Sequence, residues 1–519
     1  MAGARDPQPE VSCRAGTIRG RDVGGVRRFL GIPFAEPPVG RLRWMPPRRL
    51  GALRDTFEAT VFGAACIQNK PQISKTYTLP AHIAFSEDCL TLNIWSPQDA
   101  DNAPVIVWIH GGSLVIGASS EPMYDGAGLA RRGLVVVTVN YRLGVLGWLA
   151  HPDLSAEQGG TSGNYGLRDQ ICALEWVRDN IAAFGGDPDN VTLAGQSAGA
   201  LSAAHLMAAP AARGLFHKVI AQSPYLFSMP DLKGPVHGSA SAEGLGRDFA
   251  TAMGAPDLAS LRAMDARDLV LGATRWGFRT SSVVDGTLIP DQLVSILDAG
   301  AQAPVPVLTG FTEGEIRSLR SLASDTPDSA ETYVREIRHR HGEGADRFLA
   351  LYPPTDMEES IIGVTRDALY LFGSRRLAEA QEAVGAPAFH YLWDHSYPAA
   401  DALGQRAFHG SEVPFVFGQL AQTGPCWPPI ADTDEQRSMS NLVGDLWASF
   451  ARSGQPETRS GLAWPRYSRD QSSLRLSVPL RVESDLLSER YRLMREEFDR
   501  RRESGLAWNW NVGLLQPPR

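Results

Sequence analysis

Short runs of aliphatic residues recur along the chain, with longer amphipathic stretches between them. Each run is continuous and does not alternate with polar residues, which is typical of strands covered on both faces in a parallel sheet. The runs lie at residues 105–109, 134–139, 191–193, 219–221, 305–308 and 389–393. The pattern predicts an α/β fold in which helices flank a mostly parallel sheet.

One amphipathic stretch lies between two of the predicted strands. Leu167, Ile171, Leu174 and Ile181 fall on one face of a helix. Residues 185–188 read Gly-Gly-Asp-Pro, which supplies a C-cap glycine followed by a proline that stops the helix. The next strand therefore ends just before residue 195, at the edge where open α/β sheets place their sites.

A serine-centred pentapeptide follows that strand. Residues 195–199 read Gly-Gln-Ser-Ala-Gly, with Ser197 at the centre and an Ala-rich helical stretch after it. This is the pattern of a nucleophile elbow, in which two glycines permit a sharp strand-to-helix turn. The helix start would offer its free amides to an oxyanion. Because a chain of this composition would show the pattern about 0.4 times by chance, its partners must decide its meaning.

A glycine loop supplies the second part of an oxyanion site. An esterase elbow needs further backbone amides from the loop after an earlier strand. Residues 110–113 read His-Gly-Gly-Ser and directly follow the strand that ends at Ile109. The alternative is an ordinary glycine turn, which the downstream elbow makes the weaker interpretation.

The base and the acid should follow Ser197 in the chain, with the acid first. The candidate bases are His339, His341, His390, His395 and His409. The first two lie in a charged helical stretch and are expected to face solvent, and the third lies inside a strand. His409 stands in a turn-like segment, although a lone loop histidine is more often incidental than catalytic.

The acid is expected at the end of the strand that begins at residue 305. Glu313 and Glu315 both follow it, and either carboxylate could orient an imidazole. Spacing alone does not choose between them, and an exposed loop charge is the plain alternative for each.

Composition and charge narrow the class of protein. The chain has 519 residues and a formal net charge of −8, with no basic cluster beyond residues 500–502. We therefore expect no nucleic-acid partner and assign those three arginines to a solvated C-terminal helix. No linker or repeat interrupts the chain, so residues 1–519 are predicted to form one large domain with long insertions.

The chain shows no targeting, membrane or metal signal. Its first residues are polar, and no apolar run is long enough for a secretory signal or a membrane span. We expect a soluble, cytoplasmic protein, and the sequence leaves its oligomeric state open. Five cysteines without a C-x-x-C pair indicate neither a disulfide framework nor zinc, so no metal and no cofactor are predicted.

Seven ordered segments carry a resemblance to a known family. They are GIPFAEPP at 31–38, EDCLTLNIW at 87–95, NYRLG at 140–144, GNYGLRDQ at 163–170, FGGDP at 184–188, VDG at 284–286 and FARSG at 450–454. With the elbow, the glycine loop and His409, they make the chain resemble the type-B carboxylesterases, which include bacterial para-nitrobenzyl esterases, mammalian carboxylesterases and cholinesterases. The resemblance spans residues 31–467 and implies the α/β-hydrolase fold and ester hydrolysis without a cofactor.

The resemblance implies a role for individual residues. It places the nucleophile at Ser197 and the base at His409, whose His-Gly-x-Glu setting matches the family. It selects Glu315 over Glu313 as the acid, because the family's acid lies five residues after the glycine that ends its strand, here Gly310.

The oxyanion amides correspond to Gly112, Ser113 and Ala198, and Ser223 corresponds to a serine that supports the acid. Four positions depart from the family pattern. Gly and Ile flank Glu315 where the family has Asp and Gly, Ser113 replaces Gly or Ala, and a proline follows Ser223. An amide donor needs no particular side chain, so the oxyanion site is expected to function.

Two further departures bear on the substrate. Gln196 replaces a Glu found in cholinesterases and many relatives, which removes a negative charge beside the nucleophile. The segment between Cys66 and Cys89 has no Trp, whereas cholinesterases use one to hold a quaternary ammonium group. Neutral esters are therefore expected, and choline esters are not. The two cysteines match a family disulfide, and the sequence does not decide whether that bond forms, because a reducing cytoplasm disfavours it.

The sequence does not identify the ester. We expect specificity to lie in the segments at residues 66–88, 275–282 and 310–330, and the candidate pocket aromatics are Tyr77, Phe85, Trp276 and Phe278. Amide, carbamate or thioester hydrolysis is the alternative chemistry, since the same constellation serves any acyl transfer. A non-catalytic, adhesion-type relative is the other alternative, although such relatives lack the serine that this chain keeps.

Overall fold

The computed structural model describes residues 8–69, 74–457, 463–468 and 470–517. Every predicted aliphatic run forms a strand of one large sheet. The strands of the described residues are β1 (Glu10–Cys13), β2 (Gly16–Arg19), β3 (Arg21–Asp22), β4 (Val26–Pro33), β5 (Phe57–Glu58), β6 (Ala65–Cys66), β7 (Phe85–Ser86), β8 (Thr91–Pro97), β9 (Ala103–Ile109), β10 (Val135–Val139), β11 (Gly186–Gln196), β12 (Lys218–Gln222), β13 (Val307–Thr312), β14 (Ala388–Trp393), β15 (Ser473–Leu476) and β16 (Arg481–Glu483).

The large sheet is parallel in its centre and antiparallel at both edges. Its order among the described strands is β16-β15-β14-β13-β12-β11-β9-β10-β8-β4-β3. All pairs from β15 to β10 in this order are parallel, whereas β16 at one edge and β8, β4 and β3 at the other pair antiparallel. The prediction of a mostly parallel α/β sheet is confirmed. The small sheets β1-β2-β5 and β6-β7 lie outside it.

The helices of the described residues flank the sheet. They are α1 (Ala127–Ala130), α2 (Gly144–Trp148), α3 (Pro152–Glu157), α4 (Tyr165–Asn180), α5 (Ala198–Ala208), α6 (Ala242–Ala252), α7 (Leu258–Ala263), α8 (Ala266–Trp276), α9 (Leu293–Asp298), α10 (Ala330–His341), α11 (Ala345–Leu351), α12 (Met357–Arg366), α13 (Phe372–Ala383), α14 (Pro398–Ala402), α15 (Val413–Phe417), α16 (Asp434–Ser453) and α17 (Ser488–Glu503). A π-helical turn at Asp367–Leu371 joins α12 and α13.

The central strands bury both faces. In β9, Val105 and Val107 pack into the core on one face, and Ile106 and Trp108 pack into the core on the other. Helix α4 is the predicted amphipathic helix, and a short 3₁₀ turn extends it to Gly185, whose φ of 85° makes it the C-cap. Continuous aliphatic runs arise here because neither face of a central strand meets water.

The strand order creates a switch point at β9. Strands β10 and β11 follow β9 in the chain, yet they lie on opposite sides of it. A crevice therefore opens at the carboxyl ends of β9 and β11, where the connections diverge. The glycine loop and the elbow both leave the sheet at this crevice.

One expectation for the C-terminal helix is wrong. Arg501 in α17 is buried, and its guanidinium donates to Glu497 Oε1 at 2.9 Å and to Asn511 Oδ1 at 2.6 Å. A sequence run of three arginines could not show that a later segment folds back over the middle one. No helix of the described residues has the length and apolar character needed to cross a membrane.

Candidate active site

Ser197 occupies the sharp turn between β11 and α5. Its backbone has φ 58° and ψ −120°, which a non-glycine residue adopts only where its surroundings enforce it. A Cβ on Gly195 would lie 2.5 Å from the carbonyl carbon of Gly199, and a Cβ on Gly199 would lie 2.0 Å from Ile109 O. Both glycines of the pentapeptide are therefore required by close backbone packing, and the turn has the geometry of a nucleophile elbow.

The glycine loop lies directly against the elbow. A Cβ on Gly111 would lie 2.9 Å from Gln196 O and 3.3 Å from Ser197 Cβ. Gly112 has φ +107°, and its missing Cβ would lie 2.1 Å from Ile116 O. The two glycines allow the loop to fold tightly beside the nucleophile.

Three backbone amides around Ser197 are available to a ligand. Those of Gly112, Ser113 and Ala198 donate to no described protein group. Ala198 is the first residue of α5, and the first amides of a helix have no intrahelical acceptor. The structure thus brings together the three residues that were predicted to form the oxyanion site, and their assignment to that role stays a proposal.

His110 supports the glycine loop as a neutral side chain. Burial lowers the pKa of its imidazole to about 4. Its ring stacks on Tyr141 with a centroid separation of 4.5 Å, and the Tyr141 hydroxyl donates to His110 O at 2.9 Å. These contacts fix the backbone that carries Gly111 and Gly112.

His409 and Glu315 form a buried pair next to the elbow. Nδ1 of His409 hydrogen-bonds Glu315 Oε2, which holds the second ring nitrogen free to act as an acceptor. The other carboxylate oxygen of Glu315 accepts from Ser223 Oγ at 2.7 Å and from the Thr312 amide at 2.8 Å. Each carboxylate oxygen therefore has a donor, so the fully buried Glu315 is held in one orientation.

Glu313 lies elsewhere. Its carboxylate is 3.5 Å from Arg366 Nη1, and the side chain is 27% exposed. Arg366 also pairs with Asp367 at 2.8 Å. The spacing in the sequence left both Glu313 and Glu315 as candidate acids. In the structure, only Glu315 contacts His409.

The other candidate histidines do not reach Ser197. His339 is exposed, as expected, but His341 is buried against Phe348, so its predicted exposure is wrong. His390 is buried in β14 between two serine hydroxyls, and His395 contacts a glutamine amide. His341 is buried because α11 packs back onto α10, a contact that the charged pattern of α10 does not reveal.

Gln196 contacts the imidazole directly. Its Nε2 lies 3.1 Å from His409 Nε2, and its side chain also approaches the backbone at Gly410. An amide N–H can donate to a ring nitrogen only when that nitrogen carries no proton. The contact therefore fits a neutral His409 whose proton lies on Nδ1, toward Glu315.

Ser197 Oγ has no hydrogen-bond partner among the described residues. Hydrogen bonds between a catalytic nucleophile and its base commonly tighten only when substrate binds.

A cavity of about 460 Å³ opens above Ser197, within the size range of small-molecule sites. Apolar and aromatic side chains dominate its wall. Of the four aromatic residues proposed from sequence, Tyr77 and Phe278 line it. Phe85 and Trp276 are not among its described lining residues, and the indole of Trp276 packs on Phe249 and is 37% exposed.

Two carboxyl groups near the site have raised pKa values. Glu121 is the one acidic residue in the described cavity wall, and burial raises its pKa to about 7. Its only described side-chain hydrogen bond is from the Ala118 amide at 3.2 Å. Burial also raises the pKa of Glu412 to about 7, although Gln222 Nε2 donates to it at 2.9 Å.

Several site residues were missed or undervalued by sequence reasoning. The Tyr77 hydroxyl donates to the backbone oxygen of His409 at 2.9 Å, and the Tyr370 ring lies 4.9 Å from the imidazole. Glu121 and Trp510 also line the cavity. No local pattern distinguishes these residues from core residues, since long-range folding alone brings them to the site.

Cys66 and Cys89 are both buried free thiols. The hydrogen bond that the Cys89 thiol makes with Cys66, together with burial, raises the pKa of Cys89. The two cysteines for which a family disulfide was considered therefore lie in contact with each other. Across the described residues, no group of three or more His, Cys, Asp or Glu side chains is arranged to hold a metal ion.

Comparison with known proteins gives a consistent result. The model of the "Carboxylesterase family" matches residues 7–494. Para-nitrobenzyl esterase of Bacillus subtilis (strain 168) is 36% identical over 494 residues, covering 92% of this chain and 97% of the relative. Fumonisin B1 esterase of Sphingopyxis macrogoltabida is 34% identical, covering 89% of this chain and 85% of the relative. Rabbit (Oryctolagus cuniculus) cocaine esterase is also 34% identical, covering 89% of each chain.

Solved structures agree with this result. A thermophilic PNB esterase superposes with a TM-score of 0.81 at 34% identity, covering 94% of this chain and all of that structure (100%). A second PNB esterase gives a TM-score of 0.79 at 33% identity, with the same coverage. The chain therefore belongs to the carboxylesterase family, which comprises carboxylic ester hydrolases with the α/β-hydrolase fold.

Proposed function

We propose that this enzyme hydrolyses neutral carboxylic esters through an acyl-enzyme formed on Ser197. One observation carries the proposal. A serine on an elbow, three amides that donate to no described protein group, and an imidazole hydrogen-bonded to a buried carboxylate lie together beside one largely apolar cavity. This combination supplies a nucleophile, an oxyanion site and a general base for acyl transfer.

In the first stage, Ser197 Oγ attacks the ester carbonyl while His409 Nε2 takes its proton. The negative charge that forms on the carbonyl oxygen is received by the amides of Gly112, Ser113 and Ala198. The amide of Gln196 has to leave His409 Nε2 before the proton is transferred, because that nitrogen has one lone pair. The imidazolium then protonates the departing alcohol, which leaves the acyl group on Ser197.

In the second stage, water attacks the acyl-enzyme and the same groups act again. His409 Nε2 takes a proton from water, and the resulting tetrahedral oxyanion uses the same amides. Collapse of the intermediate returns the proton to Ser197 Oγ and releases the carboxylic acid. Glu315 stabilises the imidazolium in both stages without taking its proton.

The preference for neutral esters is proposed from the cavity wall. Neither lysine nor arginine occurs among the described lining residues, and Glu121 is the one acid there. Gln196 places an uncharged amide where many relatives have a carboxylate. An anionic substrate would therefore meet no compensating lysine or arginine among the lining residues that the structure describes.

The pH dependence of Glu121 tests this preference. Its carboxyl loses a proton as the pH rises through about 7, so the cavity becomes negatively charged above that pH. The kcat/KM for the 4-nitrophenyl monoester of glutaric acid, divided by that for 4-nitrophenyl butyrate, should fall about threefold to tenfold between pH 6 and pH 8. Taking the ratio cancels the titration of the base, which both substrates share.

Glu121→Gln is the matched control, because it keeps the shape and removes the titration. The ratio of the two kcat/KM values should then stay constant across the same pH range. A ratio that falls equally in the variant would show that a group other than Glu121 repels the anionic ester.

Labelling with a fluorophosphonate probe tests the proposed nucleophile. We expect a stoichiometric adduct on the peptide containing Ser197, located by mass spectrometry, and parallel loss of 4-nitrophenyl butyrate hydrolysis. An activated serine displaces fluoride from the phosphorus of the probe, and the resulting Oγ–P adduct resembles the tetrahedral intermediate. A folded protein that neither reacts nor hydrolyses the ester would instead be a non-catalytic relative, and an adduct elsewhere would refute the assignment.

A further inference from the structure

The C-terminal segment reaches the active-site cavity. Trp510 belongs to the cavity wall, although the family model ends at residue 494 and the sequence resemblance at residue 467. The specificity segments expected from sequence all lie before residue 331 as well. A residue outside the matched region therefore shapes the site.

Trp510 is the last member of a row of aromatic rings that starts at the base. The ring of His409 lies 4.9 Å from Tyr370, and Tyr370 lies 6.2 Å from Tyr225. Tyr225 stacks on Phe227 at 5.3 Å, and Phe227 meets Trp510 at 6.2 Å in an edge-to-face arrangement. The row forms one continuous wall of the cavity from the reacting atoms to the indole.

The segment that carries Trp510 is firmly attached on both sides of the indole. Before it, the backbone oxygen of Trp508 accepts from the Ser228 amide at 2.9 Å and from Ser228 Oγ at 3.3 Å. After it, the buried Arg501 donates to Asn511 Oδ1 at 2.6 Å and to Asn511 O at 2.7 Å. These bonds tie the segment to the strand-end loop after β12 and to α17, so the indole is held in place.

We propose that Trp510 is a specificity-determining residue that closes the far end of this wall and limits the chain length of the ester. The inference rests on the proposed esterase function. It names the substrate class as neutral esters with short to medium acyl chains. Each further methylene that enters an apolar site gains about fourfold in kcat/KM if there is room for it. A rigid indole at the end of the wall removes that gain once the chain reaches it.

The test is a chain-length series of 4-nitrophenyl esters from acetate to laurate. In the wild type, kcat/KM should rise with the first methylenes and then fall. In Trp510→Ala, the optimum should move to chains at least two carbons longer, and the ratio of decanoate to butyrate kcat/KM should rise about tenfold or more. Trp510→Phe keeps a smaller ring and should give an intermediate profile.

Trp276→Ala is the matched control, because it also removes an indole but from a side chain outside the described cavity wall. Its chain-length profile should be that of the wild type. Thermal unfolding identifies which variants are folded. If Trp510→Ala does not fold, Trp510→Phe is tested in its place, and its ratio of decanoate to butyrate kcat/KM should rise about threefold. Unchanged profiles in the folded Trp510 variants overturn the inference. Absence of hydrolysis by the wild type would instead overturn the proposed function.

Discussion

Ser197→Ala is expected to lower kcat for 4-nitrophenyl butyrate by about 10⁵–10⁶-fold, the effect seen when the nucleophile of a serine hydrolase triad is removed. The variant loses the oxygen that forms the acyl bond, and His409 and Glu315 then have no substrate-attacking group to activate. The oxyanion amides remain, so residual catalysis of about 10³–10⁴ over water is expected. Purified variant and wild type are compared at saturating substrate, with thermal unfolding to establish that both are folded.

Ser202→Ala is the matched control for this prediction. Ser202 lies in the same helix, α5, and is fully buried, with its Oγ accepting from Gln170 Nε2 at 3.2 Å. The substitution removes an equally buried hydroxyl that has no place in the proposed chemistry, so kcat should stay within about threefold. Retention of more than a few per cent of wild-type kcat by Ser197→Ala would mean that another group attacks the ester.

The backbone parts of the site were predictable from sequence because they depend on glycine. At Gly195 and Gly199 the packing distances leave no room for a Cβ, and Gly112 adopts a positive φ beside Ile116 O. Close backbone packing and a positive φ exclude most residue types other than glycine. These positions can therefore be recognised in the sequence by their glycines. The central strands were predictable for a similar reason, since burial on both faces excludes polar residues.

Strand β8, at one of the two antiparallel edges of the sheet, was not predicted from periodicity. Strand β8 contains Asn93, which is buried and bonds the Gly31 amide at 2.9 Å and Thr138 Oγ1 at 2.9 Å. A buried polar residue breaks the aliphatic run, so periodicity gave no strand there, and only the resemblance drew attention to the segment. Burial of a polar group is acceptable when each of its atoms has a partner, and those partners are distant in sequence.

The side chains around the base were the least predictable part of the site. Tyr370 lies in a π-helical turn, and Trp510 lies beyond the family match, yet both line the same cavity wall as His409. The contact between Gln196 and His409 joins residues far apart in the chain. Sequence identified Gln196 as a departure from the family, but only the structure shows that the amide contacts the imidazole.

Glu315→Gln is expected to lower kcat by about 10⁴-fold, whereas Glu313→Gln should change it by less than about threefold. In the first variant an amide faces His409 Nδ1, and it can hold the wrong tautomer, with the proton on Nε2 where the serine proton must be received. In the second variant, Arg366 loses one carboxylate but keeps its partner Asp367 at 2.8 Å. Steady-state kinetics with 4-nitrophenyl butyrate at pH 8 measures both.

The two variants control each other, because the same substitution is made two residues apart on one loop. General destabilisation of the loop would lower both activities together and would move the midpoint of thermal unfolding. A large loss in Glu313→Gln with normal activity in Glu315→Gln would reverse the assignment that the geometry supports.

The expected outcome follows from what each carboxylate contacts. Glu315 is fully buried against His409, Ser223 and the Thr312 amide, whereas Glu313 is partly exposed beside an arginine. A buried carboxylate with donors on both oxygens can stabilise an imidazolium without moving, and that preorganisation is what the larger effect would measure.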